Sequence, residues 1–343
     1  MQPTMTEAHD DQDSRYRLQT LLKGMIGSRY AIKIQTLIKI LVGLALLFIS
    51  IRGIKWENLL AGIRSARLLW IVMAIALVIL GLMLKFVRWS RFIRNYHLTS
   101  SNSFLFRAYF VGQAVNIIFP FRGGELIRLG YFSRNPYVIP EVASTIVLEK
   151  YLDLLALTIV AALVSITFSI DHLFTLRLLF LPLLAALTLL LIVVILLGPA
   201  LWQKIRTRNL LPSRCLVWLD HYVQVSQWMR NPRLVLPGVV LTFFIWVIMW
   251  LTNMVLFASL GLPLRSTAAS LVLILVYIGL LPALMPGNIG PFYFFASLAL
   301  VPFDVVHDQA ILYAVVLHAI VTIPPLLAGL VGLWLSSDRV AAR

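Results

Sequence analysis

Apolar runs divided by short polar connectors fill the chain from about residue 37 to residue 335. The runs cover 37–51, 68–84, 104–119, 142–170, 176–197, 234–260, 267–284, 292–301 and 310–335. About 20 apolar residues are enough to carry a helix across a bilayer. Most of these runs therefore read as membrane-spanning helices. The first is short, but Ile34 and a snorkelling Lys39 extend it. The second ends in Lys85, Arg88, Arg91 and Arg94, which read as a basic stop on the cytoplasmic side. The mixed, basic stretch 202–233 reads as lying along the interface.

Two interruptions stand out. One is Pro120-Phe121-Arg122-Gly123-Gly124-Glu125, and the other is Met285-Pro286-Gly287-Asn288-Ile289-Gly290-Pro291. Proline removes an amide donor and glycine loosens a helix. Freed backbone groups cannot face lipid, so such breaks are buried or line a wet cavity. Each is followed by more apolar sequence. Both are read as tips of re-entrant hairpins, at 104–135 and 267–302, with Pro120, Gly123, Gly124, Pro286, Gly287 and Gly290 supplying the hairpin backbone.

With the N-terminus in the cytoplasm, Lys85–Arg94 and the basic stretch from Lys204 to Arg233 fall inside. The loop with Asp304 and Asp308 falls outside. Arg52, Lys55, Arg64 and Arg67 are the exception, being basic yet external in this scheme. The expected fold is an all-α integral membrane domain of about six full spans plus two re-entrant hairpins. Its order of span, span, hairpin, span occurs twice, so the halves 36–170 and 176–335 would run in opposite directions as an inverted repeat. Tyr109 and Tyr277 each precede a Pro-x-x-x-Gly break. A polar tail, 1–35, precedes this domain and a short one, 336–343, follows it. The first does not read as a cleavable signal peptide, because no apolar segment follows a short basic start.

Composition narrows the class. Only 13% of the residues are charged and 60% are hydrophobic, against about 25% charged in a soluble domain. The net charge of +15 raises nucleic-acid binding as a rival. The basic residues lie between apolar runs, however, where they face anionic lipid. Cys215 is the single cysteine, which excludes an intramolecular disulfide. The six histidines are scattered without metal-ligand spacing, and no nucleotide or nucleophile-elbow fingerprint occurs. No cofactor, metal site or catalytic residue is expected.

Two clusters carry candidate chemistry. The first is Asn116, Arg122, Glu125 and Arg128 around the first break. Guanidinium groups match phosphate geometry, so Arg122 and Arg128 are candidate phosphate ligands, with Glu125 balancing them in an empty site. A helix starting near Gly124 would add free amide donors. The competing reading is a loop whose arginines snorkel to headgroups. The second cluster is Glu149, Lys150 and Asp153 inside a span. Glu149 and Asp153 share a helix face. They are read either as ion-pair partners of Arg122, Arg128, Arg88 or Arg107, or as proton-coupling and gating groups. His318 in the last span reads as a packed histidine before it reads as a proton relay.

Arg88-Trp89, Asn116-x-x-x-Pro120-x-Arg122-x-Gly124-Glu125-x-x-Arg128, Leu148-Glu149-Lys150-x-x-Asp153 and Pro286-Gly287-Asn288-Ile289-Gly290 occur in that order over residues 35–335. In these pieces the chain resembles the flippase-like family of the lysylphosphatidylglycerol synthase transmembrane region. The resemblance implies a cell-membrane protein that moves lipids between leaflets. In the multiple peptide resistance factors, the similar region flips aminoacylated phosphatidylglycerol and is joined to a soluble aminoacyl-transferring domain. It implies membrane lipids as ligands and a separate lipid-modifying synthase or glycosyltransferase as a possible partner, with no nucleic acid. An accessory subunit docking such an enzyme is the alternative, and an intramembrane enzyme a weaker one. One departure stands out: family members often carry a Glu near position 293, where this chain has Pro291-Phe292-Tyr293-Phe294.

Overall fold

The computed structural model describes residues 36–95, 101–119, 123–133, 138–167, 232–282 and 285–337, with scattered positions between 182 and 204. The N-terminal tail, Pro120, Arg122, nearly all of the expected span 176–197 and nearly all of the basic stretch 202–233 lie outside these residues. Among the described residues the regular structure is entirely helical. Helix α1 (Thr36–Ile51) is followed, at a bend of 79°, by α2 (Trp56–Ser65). Then come α3 (Leu68–Asn95), α4 (Asn102–Ile118), α5 (Gly124–Gly130) and α6 (Ile139–Thr167). The second half has α7 (Pro232–Ser259), α8 (Ser266–Gly279), α9 (Pro291–Leu298) and α10 (His307–Ser337).

Among the described residues three helices, α3, α7 and α10, are long and apolar enough to cross a membrane, and the bent pair α1–α2 passes the same test if it is one span. The chain is thus a multi-pass membrane protein. Helix α6 is as long, although Glu149, Lys150 and Asp153 interrupt its apolar surface. Large side chains such as Leu68, Leu69, Phe243 and Trp334 are exposed, as lipid-facing positions must be.

Both Pro/Gly interruptions turn the chain back on itself. In the first, α5 returns along α4, and the Phe104 ring meets Phe132 edge-on at 5.1 Å, which closes the hairpin at its base. At its tip the backbones touch. A Cβ added to Gly124 would lie 1.8 Å from the Gly112 carbonyl oxygen. In the second, α9 returns along α8 through a 3-10 turn at Pro286–Asn288. Leu262, Leu264, Leu300, Phe303 and Val305 gather in one cluster where its two ends meet. Gly287 and Gly290 have φ of 63° and 92°, a left-handed region that glycine enters without steric penalty. Gly290 also has to be small, since a Cβ there would lie 2.4 Å from the Gly43 carbonyl oxygen of α1.

Helix α3 packs along α7. The hairpin arm α4 packs on α10, and its counterpart α8 packs on α6. Likewise α5 lies on α6 and α9 on α10. Exchanging α3 with α7, α4–α5 with α8–α9, and α6 with α10 leaves these pairings unchanged. Small residues permit the close approaches: Gly329 of α10 sits against Ala114 and the Phe110 carbonyl of α4.

The basic loop that fits charge expectations worst, around Lys55, lies beside Asp308. Asn58 donates to Asp308 at 2.7 Å, and the Lys55 amide donates to it at 3.4 Å. The Arg67 amide also donates to the Ser259 carbonyl at 2.9 Å. Residues 52–67, the α7–α8 loop and the Asp304–Asp308 loop therefore share one end of the bundle.

Candidate functional site

The middle of the bundle holds a chain of charges. Arg88 of α3 makes a bidentate pair with Asp153 of α6, at 2.8 and 3.1 Å. It also donates to Thr242 of α7 at 2.7 Å and lies 3.9 Å from Glu149. Glu149 in turn accepts from Arg128 of α5 at 2.8 Å. Arg88, Arg128 and Glu149 are 0%, 1% and 2% exposed. Helices α3, α5, α6 and α7 thus meet on one network, whose members stand in the order Arg128–Glu149–Arg88–Asp153. Low dielectric strengthens each pair and makes the loss of any single member expensive.

Aromatic rings complete the setting of Arg128. Its guanidinium carbon lies 4.3 Å from the centroid of Trp89 and 5.0 Å from that of Tyr109. Such cation–π contacts gain strength when desolvated. Trp89 is fixed by its own indole N–H, which donates to Thr145 at 3.1 Å. Gly112 makes room for the arginine stem, since a Cβ there would lie 2.8 Å from Arg128 Cγ.

The candidate residues take distinct places. Asn116 accepts from the Gly124 amide at 2.7 Å and so caps α5 from across the hairpin, which leaves that amide occupied. Glu125 pairs with the half-exposed Lys150 at 3.1 Å. The carboxylate that balances Arg128 is therefore Glu149 and not Glu125. Glu149 and Asp153 do share one face of α6. Arg122 lies outside the described residues. Arg107 donates to the Ser103 carbonyl of its own helix.

Arg88 does not belong to a basic stop at the end of a span. Helix α3 continues to Asn95, so Arg88 lies about two turns inside it. Arg91 and Arg94 are exposed, whereas Arg88 points into the core. The signal available was its pairing with Trp89, another residue facing the same core. Tyr109 was marked in the sequence only by its place before the break, and Thr242 not at all, because a tyrosine and a threonine in apolar runs carry no local mark of function.

At the second break the chemistry is uncharged. His318 of α10 contacts the Tyr293 hydroxyl through Nδ1 at 3.0 Å and the Gly287 carbonyl through Nε2 at 2.7 Å. Phe292 stacks on the imidazole at 4.7 Å. His318 therefore ties the Gly287 turn to the last helix, which agrees with a packed histidine. His318→Leu would leave both groups unpaired and should lower stability by about 1–2 kcal/mol. Thermal unfolding in detergent checks this, and an unchanged midpoint would show that the tie carries no stability.

The helical bundle, its two hairpins and its buried charge chain provide the frame for comparison with known proteins. No curated protein and no solved structure matches the chain. The family model for the lysylphosphatidylglycerol synthase TM region matches residues 36–329, which contain both hairpins and every member of the charge network. The chain belongs to the family of the lysylphosphatidylglycerol synthase TM region.

Proposed function

We propose that this protein is a flippase-like transporter in the cell membrane that moves a phosphate-containing lipid between leaflets. The observation that carries this reading is the buried network Arg128–Glu149–Arg88–Asp153, set where the first hairpin meets α3, α6 and α7. Charges at membrane depth cost at least a few kcal/mol each. Packing alone would be served as well by apolar residues of the same size. A transported phosphate gives these charges a purpose, because it can take the place of Glu149 on Arg128. Guanidinium accepts either anion in the same geometry. Asp153 and Glu149 then act as gating groups that release and recapture their arginines, and Glu149 can take up a proton when displaced.

The hairpins are re-entrant in this reading, entering from opposite faces, and the N-terminus is cytoplasmic. The unchanged contact pattern on exchanging the halves supports an inverted repeat, in which one half rocks against the other. Asn116 stands near the tip of the first hairpin, where a headgroup would enter, and Arg122 joins it as a headgroup ligand on the sequence motif alone. The protein performs no chemistry on the lipid. A separate lipid-modifying enzyme supplies or consumes it.

The test is headgroup movement in liposomes reconstituted with purified protein. Arg128→Ala and Arg122→Ala should each abolish movement, while Arg64→Ala on the exposed face of α2 should leave it unchanged. Wild-type movement in both arginine variants would overturn the proposal.

A further inference from the structure

Lys85 lies one turn before Arg88 on α3 and is half-buried in the same core. Its ammonium group reaches the Tyr277 hydroxyl of α8 at 3.4 Å. Among the described residues no carboxylate oxygen lies within 4 Å of it. Asp153 and Glu149 are already committed to Arg88 and Arg128. Among the described residues three cations therefore share two carboxylates, and Lys85 feels Asp153 only at a distance while that carboxylate is held by Arg88. In a membrane interior that imbalance calls for an anion.

Unused hydrogen-bonding groups around Lys85 have the matching polarity. Among the described residues the buried Trp246 indole N–H of α7 and the buried Tyr109 hydroxyl of α4 have no hydrogen-bond partner. The Nε–H groups of Arg88 and Arg128 are also unpaired. An indole and a guanidinium can only donate, and a phenol donates readily. Trp246 is packed against Tyr277, with ring centroids 4.9 Å apart. Tyr109 packs against Phe86, the neighbour of Lys85, with ring centroids 5.9 Å apart. Tyr277 directs its own proton to the Met249 sulfur at 3.4 Å, a weak acceptor that an anion would outcompete. Buried donors are ordinarily satisfied, so a set of unsatisfied donors around an unpaired cation marks the place of a missing acceptor.

We propose that Lys85, Tyr277, Trp246 and Tyr109 form an anion site between the two hairpins that binds a phosphate group, from a lipid headgroup or from free phosphate. The site is separate from Arg128. It deepens the transport reading by giving the headgroup a second anchor, and it rests on that reading only for the lipid as source. The two hairpins contribute one tyrosine each, at the positions that precede their breaks. A phosphate held there would bridge the halves.

The experiment measures binding of short-chain phosphatidylglycerol to the purified protein in detergent by native mass spectrometry. Short-chain diacylglycerol serves as the phosphate-free probe and inorganic phosphate as the competitor. Wild type should retain phosphatidylglycerol and not diacylglycerol. Lys85→Met should weaken retention about tenfold, the effect of losing one charge-assisted contact, and Lys85→Arg should restore most of it. Competition by inorganic phosphate would assign free phosphate as a ligand, and its absence would assign the lipid. Should Lys85→Met fail to fold, the paired change Tyr277→Phe with Trp246→Phe removes two polar groups, leaves an aromatic ring at each position and should weaken binding by a similar factor. Wild-type binding in the folded variant, or equal binding of diacylglycerol, would overturn the site. Lys85-dependent binding without lipid movement would instead leave the site standing and remove the transport reading.

Discussion

Glu149→Ala is expected to destabilise the protein by about 3–5 kcal/mol, the usual result of removing one partner from a buried ion pair. Arg128 would lose its 2.8 Å carboxylate contact, and Arg88 would lose its 3.9 Å approach to Glu149 and keep Asp153 and Thr242. Neither guanidinium can reach water, since both are at most 1% exposed. Glu149→Gln should lie between wild type and Ala, because an amide oxygen still accepts from Arg128 but brings no charge. The double replacement Arg128→Met with Glu149→Leu separates stability from function. It removes both charges and fills the space, so it should regain most of the lost stability. Lipid movement should stay absent in it. Thermal unfolding in detergent and the liposome assay together decide the matter. An unchanged midpoint in Glu149→Ala would show that the pair is not buried in the membrane-embedded protein. A transporting double variant would show that the pair serves packing alone.

The long helices were legible because lipid imposes a length and an apolar surface on a span. The hairpins were legible for a related reason: proline and glycine at membrane depth demand a buried turn. Helix α3 shows where that reading stops. Its apolar run ends at Leu84, and the following lysine and arginines resemble an interface. The helix itself continues, with Arg88 and Trp89 turned toward α6 and α5 while Arg91 and Arg94 face outward. Only the rotation of the helix separates the two sets, and composition does not record rotation. The partner of Glu149 was limited to four arginines by sequence, but the choice of Arg128 depends on how far α5 descends beside α6. Asn116 looked like a headgroup ligand for the same reason that it makes a good cap. Its side-chain oxygen accepts from any N–H, and the Gly124 amide is the one at hand.

The halves diverge chemically on a common frame. Gly112 lies against Arg128 in the first hairpin, and Gly279 lies against Phe295 in the second, with the same sequence spacing. The helix that follows each hairpin then supplies the partner. In the first half that is Glu149 on Arg128, and in the second His318 on Tyr293. The missing carboxylate near position 293 is thus met by a neutral hydrogen bond. On the proposed transport reading the charged half exchanges the anion, while in the other half His318 holds the turn. Lys85, bound to Tyr277 of the second hairpin and one turn from Arg88, is the physical link between them.

Gly124→Ala tests the frame without touching any charge. The added methyl would lie 1.8 Å from the Gly112 carbonyl oxygen and 2.7 Å from the Asn116 side chain. A carbonyl oxygen belongs to the backbone of α4 and cannot swing away as a flexible side chain would. The arms must separate, which breaks the Asn116 cap on α5 and draws Arg128 off the Trp89 ring. Overpacking of this kind destabilises by about 1–3 kcal/mol, and the lost cap adds about 1 kcal/mol. Lipid movement should fall with it, because Arg128 rides on the displaced helix. Gly130→Ala is the matched control six residues along the same short helix, where a Cβ meets nothing within 4 Å. It should change stability by no more than about 0.5 kcal/mol and leave transport intact. Thermal midpoints and liposome assays of the two variants give the answer directly. Equal behaviour would mean that the arms of the first hairpin do not close on Gly112, and the buried position of Arg128 would lose its structural basis.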